Sequence, residues 1–116
     1  MQDGELNPDI IRDLAAREKV SFKKHTLMRM HQRKISVDEI KAALCECEVV
    51  ESYPNDRPLP SALLLGFTKA RRPIHAVSAI DEENEMLWVI TVYEPTLLEW
   101  IDGFKERRVE NDMSTM

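Results

Sequence analysis

The chain has 116 residues, 43% hydrophobic and 32% charged, with 21 Asp+Glu against 16 Lys+Arg and a net charge of −5. That balance fits one globular domain and excludes a disordered chain. No apolar run approaches the roughly 18 residues of a transmembrane helix, and the acidic opening MQDGELNPD is not a secretory signal, so a cytoplasmic protein without membrane contact is expected. A sequence pI near 5.2 argues against binding nucleic acid over the whole surface. It leaves room for a local basic groove, because salt screens surface charges beyond about 8 Å.

Asn7-Pro8 is an N-cap followed by Pro at the first helical position, and predicts a helix to about residue 18. Residues 1–21 form an expected N-terminal helical extension to a single domain over 22–108. Ser21 is the expected cap of a second helix over 22–34. Ser36-Val37-Asp38-Glu39 has the S-x-x-E pattern of a capping box. The third helix therefore starts at Ser36 and ends near Cys47. Cys45 and Cys47 are a lone C-x-C with no second pair to complete a zinc site, hence reduced thiols; no metal or cofactor is expected.

Beyond Cys47 the period changes to that of strands. Residues 49–53, 62–68, 74–80 and 87–93 read as four strands. They are separated by the proline-rich loop PNDRPLP, a basic turn over 69–73 and the acidic turn DEENEM. Thr96-Leu97-Leu98-Glu99 is a second capping-box pattern. It predicts a closing helix carrying Leu97, Leu98, Trp100, Ile101 and Phe104. The polar tail over 109–116 is expected to be disordered. The fold class is α+β: N-terminal helices, a four-stranded antiparallel meander and a C-terminal helix.

One stretch breaks the acidic pattern. Between Phe22 and Ile35 stand Lys23, Lys24, Arg29, Arg33 and Lys34, with His25, His31 and no acid; the rest of the chain carries 11 basic and 21 acidic residues. Turning about 100° per residue puts His25, Arg29 and Arg33 in one stripe, flanked by Phe22 and Met28. The lysines and His31 fall on the other side. Three cations on successive turns repel one another unless something negative faces them. Carboxylates of Glu48, Glu51 or Asp56 are one solution. A phosphate held by two Arg forks, with His25 beside it as acid or base, is the other.

H-x3-R-M-x2-R-x-I-S (His25 to Ser36), Y-P-N-D-R-P-x-P-S-x-L-L-L-G-F (Tyr53 to Phe67), R-P-I-H-A-V (Arg72 to Val77) and T-V-Y-E-P (Thr91 to Pro95) together resemble a small prokaryotic family of unknown function. The family often has Gly where this chain has Lys34. Its layout is similar to that of RelE/BrnT-type ribonuclease toxins. That resemblance implies metal-independent RNA cleavage, with the ribose 2′-hydroxyl attacking the adjacent phosphate, and an antitoxin-like protein partner. Carried over by position, His25, Arg29, Arg33, His75 and Tyr93 are the implied catalytic residues. Arg29, Arg33 and Arg57 are the implied phosphate ligands.

Read on its own residues, His75 shares a strand face with Val77 and Ala79, a setting that also suits a hydrogen-bonded core histidine. If Ile80 pairs with Leu87, His75 lies opposite Val92; a one-residue slip pairs it with Tyr93 instead. Tyr93 also suits edge packing, and Arg57 suits a salt bridge as well as a clamp. Trp88 and Trp100 are expected core residues. Exposed Leu63 or Leu65 would support a dimer. Three functions follow: an RNA-cleaving domain, a non-catalytic module for an acidic partner or phosphate-bearing ligand, and a structural domain whose stripe is internally neutralised.

Overall fold

The computed structural model describes residues 7–109; the acidic opening up to residue 6 and the tail from residue 110 lie outside the described residues. Helix α1 spans Pro8–Ala16, capped by Asn7, whose side chain accepts from the Asp9 amide. It buries Ile11, Leu14 and Ala15 in the main core. The next residues depart from expectation. Instead of opening a helix, Val20–Phe22 forms a strand, β1. The helix that follows, α2, covers only Lys24–Gln32. Helix α3, Val37–Leu44, starts with both hydrogen bonds of the Ser36/Glu39 capping box in place. Strands β2 (Glu48–Tyr53), β3 (Ser61–Phe67), β4 (Pro73–Asp81) and β5 (Met86–Tyr93) complete the sheet.

The sheet order is β1-β5-β4-β3-β2. β2 to β5 make the expected antiparallel meander, but β1 joins β5 in parallel, so the five-stranded sheet is mixed. The physical cause is that β5 in the meander has a free edge. The apolar ends of Val20-Ser21-Phe22 reach it directly after α1, and the Leu87 amide donates to the Lys19 carbonyl at 2.9 Å.

The C-terminal ends of α1 and α2 close with left-handed residues. Glu18 (φ 60°) follows α1 and Lys34 (φ 61°) follows α2. In each case a 6→1 and a 5→2 backbone bond form the Schellman pattern, as in Ile35 N to Met30 O and Lys34 N to His31 O. Lys34 thus occupies a conformation that favours glycine.

Helices α1, α2 and α3 cover one face of the sheet. There Ala62, Leu64, Ile74, Ala76, Ile80, Leu87, Val89 and Val92 meet Ile11, Met30, Ile40 and Leu44. Gly66 lets α3 approach β3, because a Cβ there would lie 2.4 Å from the Ala43 carbonyl oxygen. Cys47 is buried in this core, which pushes its thiol up to about 11, and Cys45 is half-buried; both are free. Leu63 and Leu65, 1% and 3% exposed, are not available for a dimer contact.

The expected C-terminal helix does not form. The chain makes one turn after Thr96, then doubles back through Gly103 (φ 101°) and Phe104 (φ 60°), with Ile101 N bonded to Glu106 O and Arg108 N to Glu99 O. Trp100 and Arg107 form an isolated antiparallel bridge. This hairpin-like strap crosses the sheet face that the helices leave open. It buries Trp100 edge-on against His75, with ring centroids 4.4 Å apart, and leaves Leu98 87% exposed. Its ion pairs Lys105–Glu48 and Arg107–Glu51 tie it to β2. The local capping signal loses to tertiary burial of one large aromatic side chain.

Candidate functional site

The stripe on α2 faces the unpaired part of a strand. β1 covers β5 only at Leu87, Trp88 and Val89. Among the described residues, the edge of β5 from Ile90 onward has no strand neighbour on that side, and α2 lies beside it. Two side chains of α2 serve the exposed carbonyls. The Thr26 hydroxyl donates to Ile90 O at 2.7 Å, and Arg33 Nη1 donates to Val92 O. The N–H and C=O of one strand residue point to the same edge, so the Val92 amide is turned toward α2 as well.

Between helix and strand lies a hollow of about 250 Å³, lined by His25, Thr26, Arg29, Arg33, Ile90, Thr91 and Val92. His25, Arg29 and Arg33 therefore do converge, as the helical spacing predicts, but Phe22 is in β1 and does not flank them on the helix. Arg33 is the C-cap residue of α2, and Lys23 is its N-cap without a side-chain cap bond; the first turn holds no acid.

Among the described residues, no carboxylate neutralises this stripe: no ion pair involves His25, Arg29 or Arg33. The three acids considered from sequence are engaged elsewhere: Glu48 by Lys105, Glu51 by Arg107 and Tyr53, and Asp56 by the Ser61 hydroxyl. Arg72 makes the contrast plain. Its guanidinium pairs with Glu94 at 3.0 Å and Glu39 at 3.6 Å while also donating to Lys34 O.

His75 and Tyr93 form a pair of their own, away from the stripe. A bulge decides this. Ile80 pairs with Leu87, yet Ile90 is an extra residue, so Val77 meets Thr91 and His75 meets Tyr93. Both registers that the sequence leaves open are therefore realised, one on each side of Ile90. The pair points to the face covered by the strap. His75 is fully buried. Its Nε2 lies 2.9 Å from Phe104 O and its Nδ1 lies 3.1 Å from Tyr93 Oη. A carbonyl only accepts, so Nε2 carries the proton and the Tyr93 hydroxyl donates to Nδ1. Burial holds the His75 pKa below its usual value and the Tyr93 pKa above its own. Beside them the Glu51 carboxyl is held down, first by its hydrogen bonds from Arg107, while Tyr53 is pushed up to about 12 by burial and by Glu51.

Arg57 stands apart again. Its Nη1 donates to the carbonyls of Asn55 and Asp56 in its own loop. It lines a second hollow with Lys23 and Trp88. Among the described residues no group of three His, Cys, Asp or Glu is placed to hold a metal, and no helix is long and apolar enough to cross a membrane. Sequence reasoning missed Thr26, because its partner lies 64 residues away and nothing local marks it.

Fold and site together define a small α+β domain in which a basic helix lies along an open sheet edge. Residues 22–94 match the family described as Domain of unknown function (DUF4258), and the chain belongs to that family. No curated protein and no solved structure matches it. The matched segment contains His25, Arg29, Arg33, Arg57, His75 and Tyr93, and leaves out α1 and the strap.

Proposed function

We propose that this domain binds RNA by gripping a phosphodiester in the α2–β5 hollow, and that it acts in the cytoplasm as a RelE/BrnT-like, metal-independent ribonuclease. The carrying observation is the pair Arg29 and Arg33, which line a hollow with His25 and have no carboxylate partner among the described residues. Two guanidinium groups and an outward strand amide offer donors to phosphate oxygens at no cost in broken ion pairs. In the cleavage step the ribose 2′-oxygen attacks phosphorus, the 5′-oxygen leaves, and a 2′,3′-cyclic phosphate forms. Among the described residues lining the hollow, His25 is the acid–base group: it takes the 2′-hydroxyl proton while water protonates the leaving 5′-oxygen, or it protonates that oxygen while water takes the 2′-hydroxyl proton. An antitoxin-like partner would cover the same basic helix.

A second reading is binding without cleavage. It is favoured by the position of His75 and Tyr93, which face the strap and leave His25 alone beside the arginines. One experiment separates the two. Single-stranded RNA is titrated against wild type, His25→Ala and Arg29→Ala/Arg33→Ala at several salt concentrations, and products are sought by mass spectrometry in chelator. Binding lost in the double arginine variant supports the phosphate site. Cyclic-phosphate ends made by wild type and not by His25→Ala support the enzyme. Binding with no product, with or without ribosomes, leaves the binding module, and RNA affinity indifferent to both arginines overturns the site.

A further inference from the structure

Next to the arginine hollow lies another, of different character. It has a volume of about 280 Å³ and is lined by Lys23, Asp56, Arg57, Leu59, Trp88 and Ile90, among others. Ile90, the bulge residue of β5, lines both hollows. Lys23 and His25, one for each hollow, are two residues apart at the start of α2.

The two hollows differ in what they accept. The first is cationic and suits a phosphate. The second has an apolar floor, an indole ring and walls of both signs. The carboxylate of Asp56 disfavours a phosphate there, while Lys23 and Arg57 offer donors at the rim. At just under the roughly 300–1,000 Å³ of small-molecule sites, it suits one flat ring system with polar edges. Trp88 is only half-buried, unlike Trp100 at 1% exposure. Lys23 Nζ stands 5.6 Å from the Trp88 centroid, near the outer limit of a cation–π contact, on a side chain free to swing aside.

We infer that this hollow is a base-stacking subsite: a nucleobase of single-stranded RNA lies on Trp88 while the adjoining phosphate sits between Arg29 and Arg33. The inference rests on the phosphate-binding reading above and adds the substrate class, unpaired RNA, because a base within a duplex cannot reach the ring. Stacking on an aromatic side chain is sequence-tolerant and worth about ten-fold in affinity per base.

The test compares a short oligoadenylate with an abasic ribose–phosphate strand of the same length, by anisotropy and by tryptophan emission. Oligoadenylate should bind about ten-fold tighter than the abasic strand and quench Trp88. Trp88→Leu should erase that difference, and Trp88→Phe should keep most of it. Because Trp88→Phe retains the ring and the packing, it also reports on folding. Equal binding of both strands, with dependence on Arg29 and Arg33 retained, overturns the base subsite and leaves the phosphate site standing. Failure of both strands to bind overturns both. A preference for oligoadenylate that survives in Trp88→Leu overturns the assignment of Trp88.

Discussion

Replacing Thr26 by Val tests the join between α2 and β5. The two side chains have nearly the same shape, so packing is kept and the hydroxyl is lost. Thr26 is 2% exposed, and its hydroxyl is 2.7 Å from the Ile90 carbonyl at the bulge. Removing the donor leaves that carbonyl without its partner, which costs about 1–3 kcal/mol for a buried acceptor. Ile90 is half-buried and borders two open hollows, so water can replace part of the bond. The expected loss is therefore about 1–2 kcal/mol, or a fall in Tm of roughly 4–15 °C for a domain near 100 residues. Urea denaturation followed by circular dichroism measures it directly, with the slope m unchanged. A midpoint equal to wild type would refute the view that this hydroxyl holds the helix to the open strand edge. Among the described residues, the Arg33 bond to Val92 O would then remain as the side-chain tether to that edge.

Two further outcomes are expected. Gly66→Ala should destabilise by about 3 kcal/mol or more, since the new Cβ would meet backbone and not a flexible side chain; a denaturation midpoint near wild type would show that α3 can retreat from β3. Stability should also fall on mild acidification. The His75 pKa is lowered in the fold from its ordinary 6.5, so the unfolded chain binds that proton more readily. The contribution is whole above about pH 6.5 and is lost as the pH falls through the depressed folded value. Urea midpoints at about pH 7.5 and 5 should differ in wild type and much less in His75→Gln; the same fall in both proteins would assign the pH dependence to other groups.

Local features are legible in the amino-acid sequence alone. Asn7-Pro8 and the Ser36/Glu39 capping box satisfy orphan amides within a single turn, so both helix starts are readable without any tertiary contact. Alternating apolar strands and proline punctuation likewise mark β2 to β5. The stripe of His25, Arg29 and Arg33 follows from helical geometry alone. The tertiary structure decided the rest, each time through a partner distant in sequence. β1 is a strand because β5 offers it an edge 67 residues further on. The segment after Thr96 abandons its helical cap because Trp100 and the Phe104 carbonyl find His75. One extra residue, Ile90, turns Tyr93 toward His75 and both away from the arginines. The carboxylates that could have silenced the stripe are drawn to Lys105, Arg107 and Ser61. Charge and periodicity can place a side chain on a face of its own element, but what stands opposite that face depends on how the elements pack.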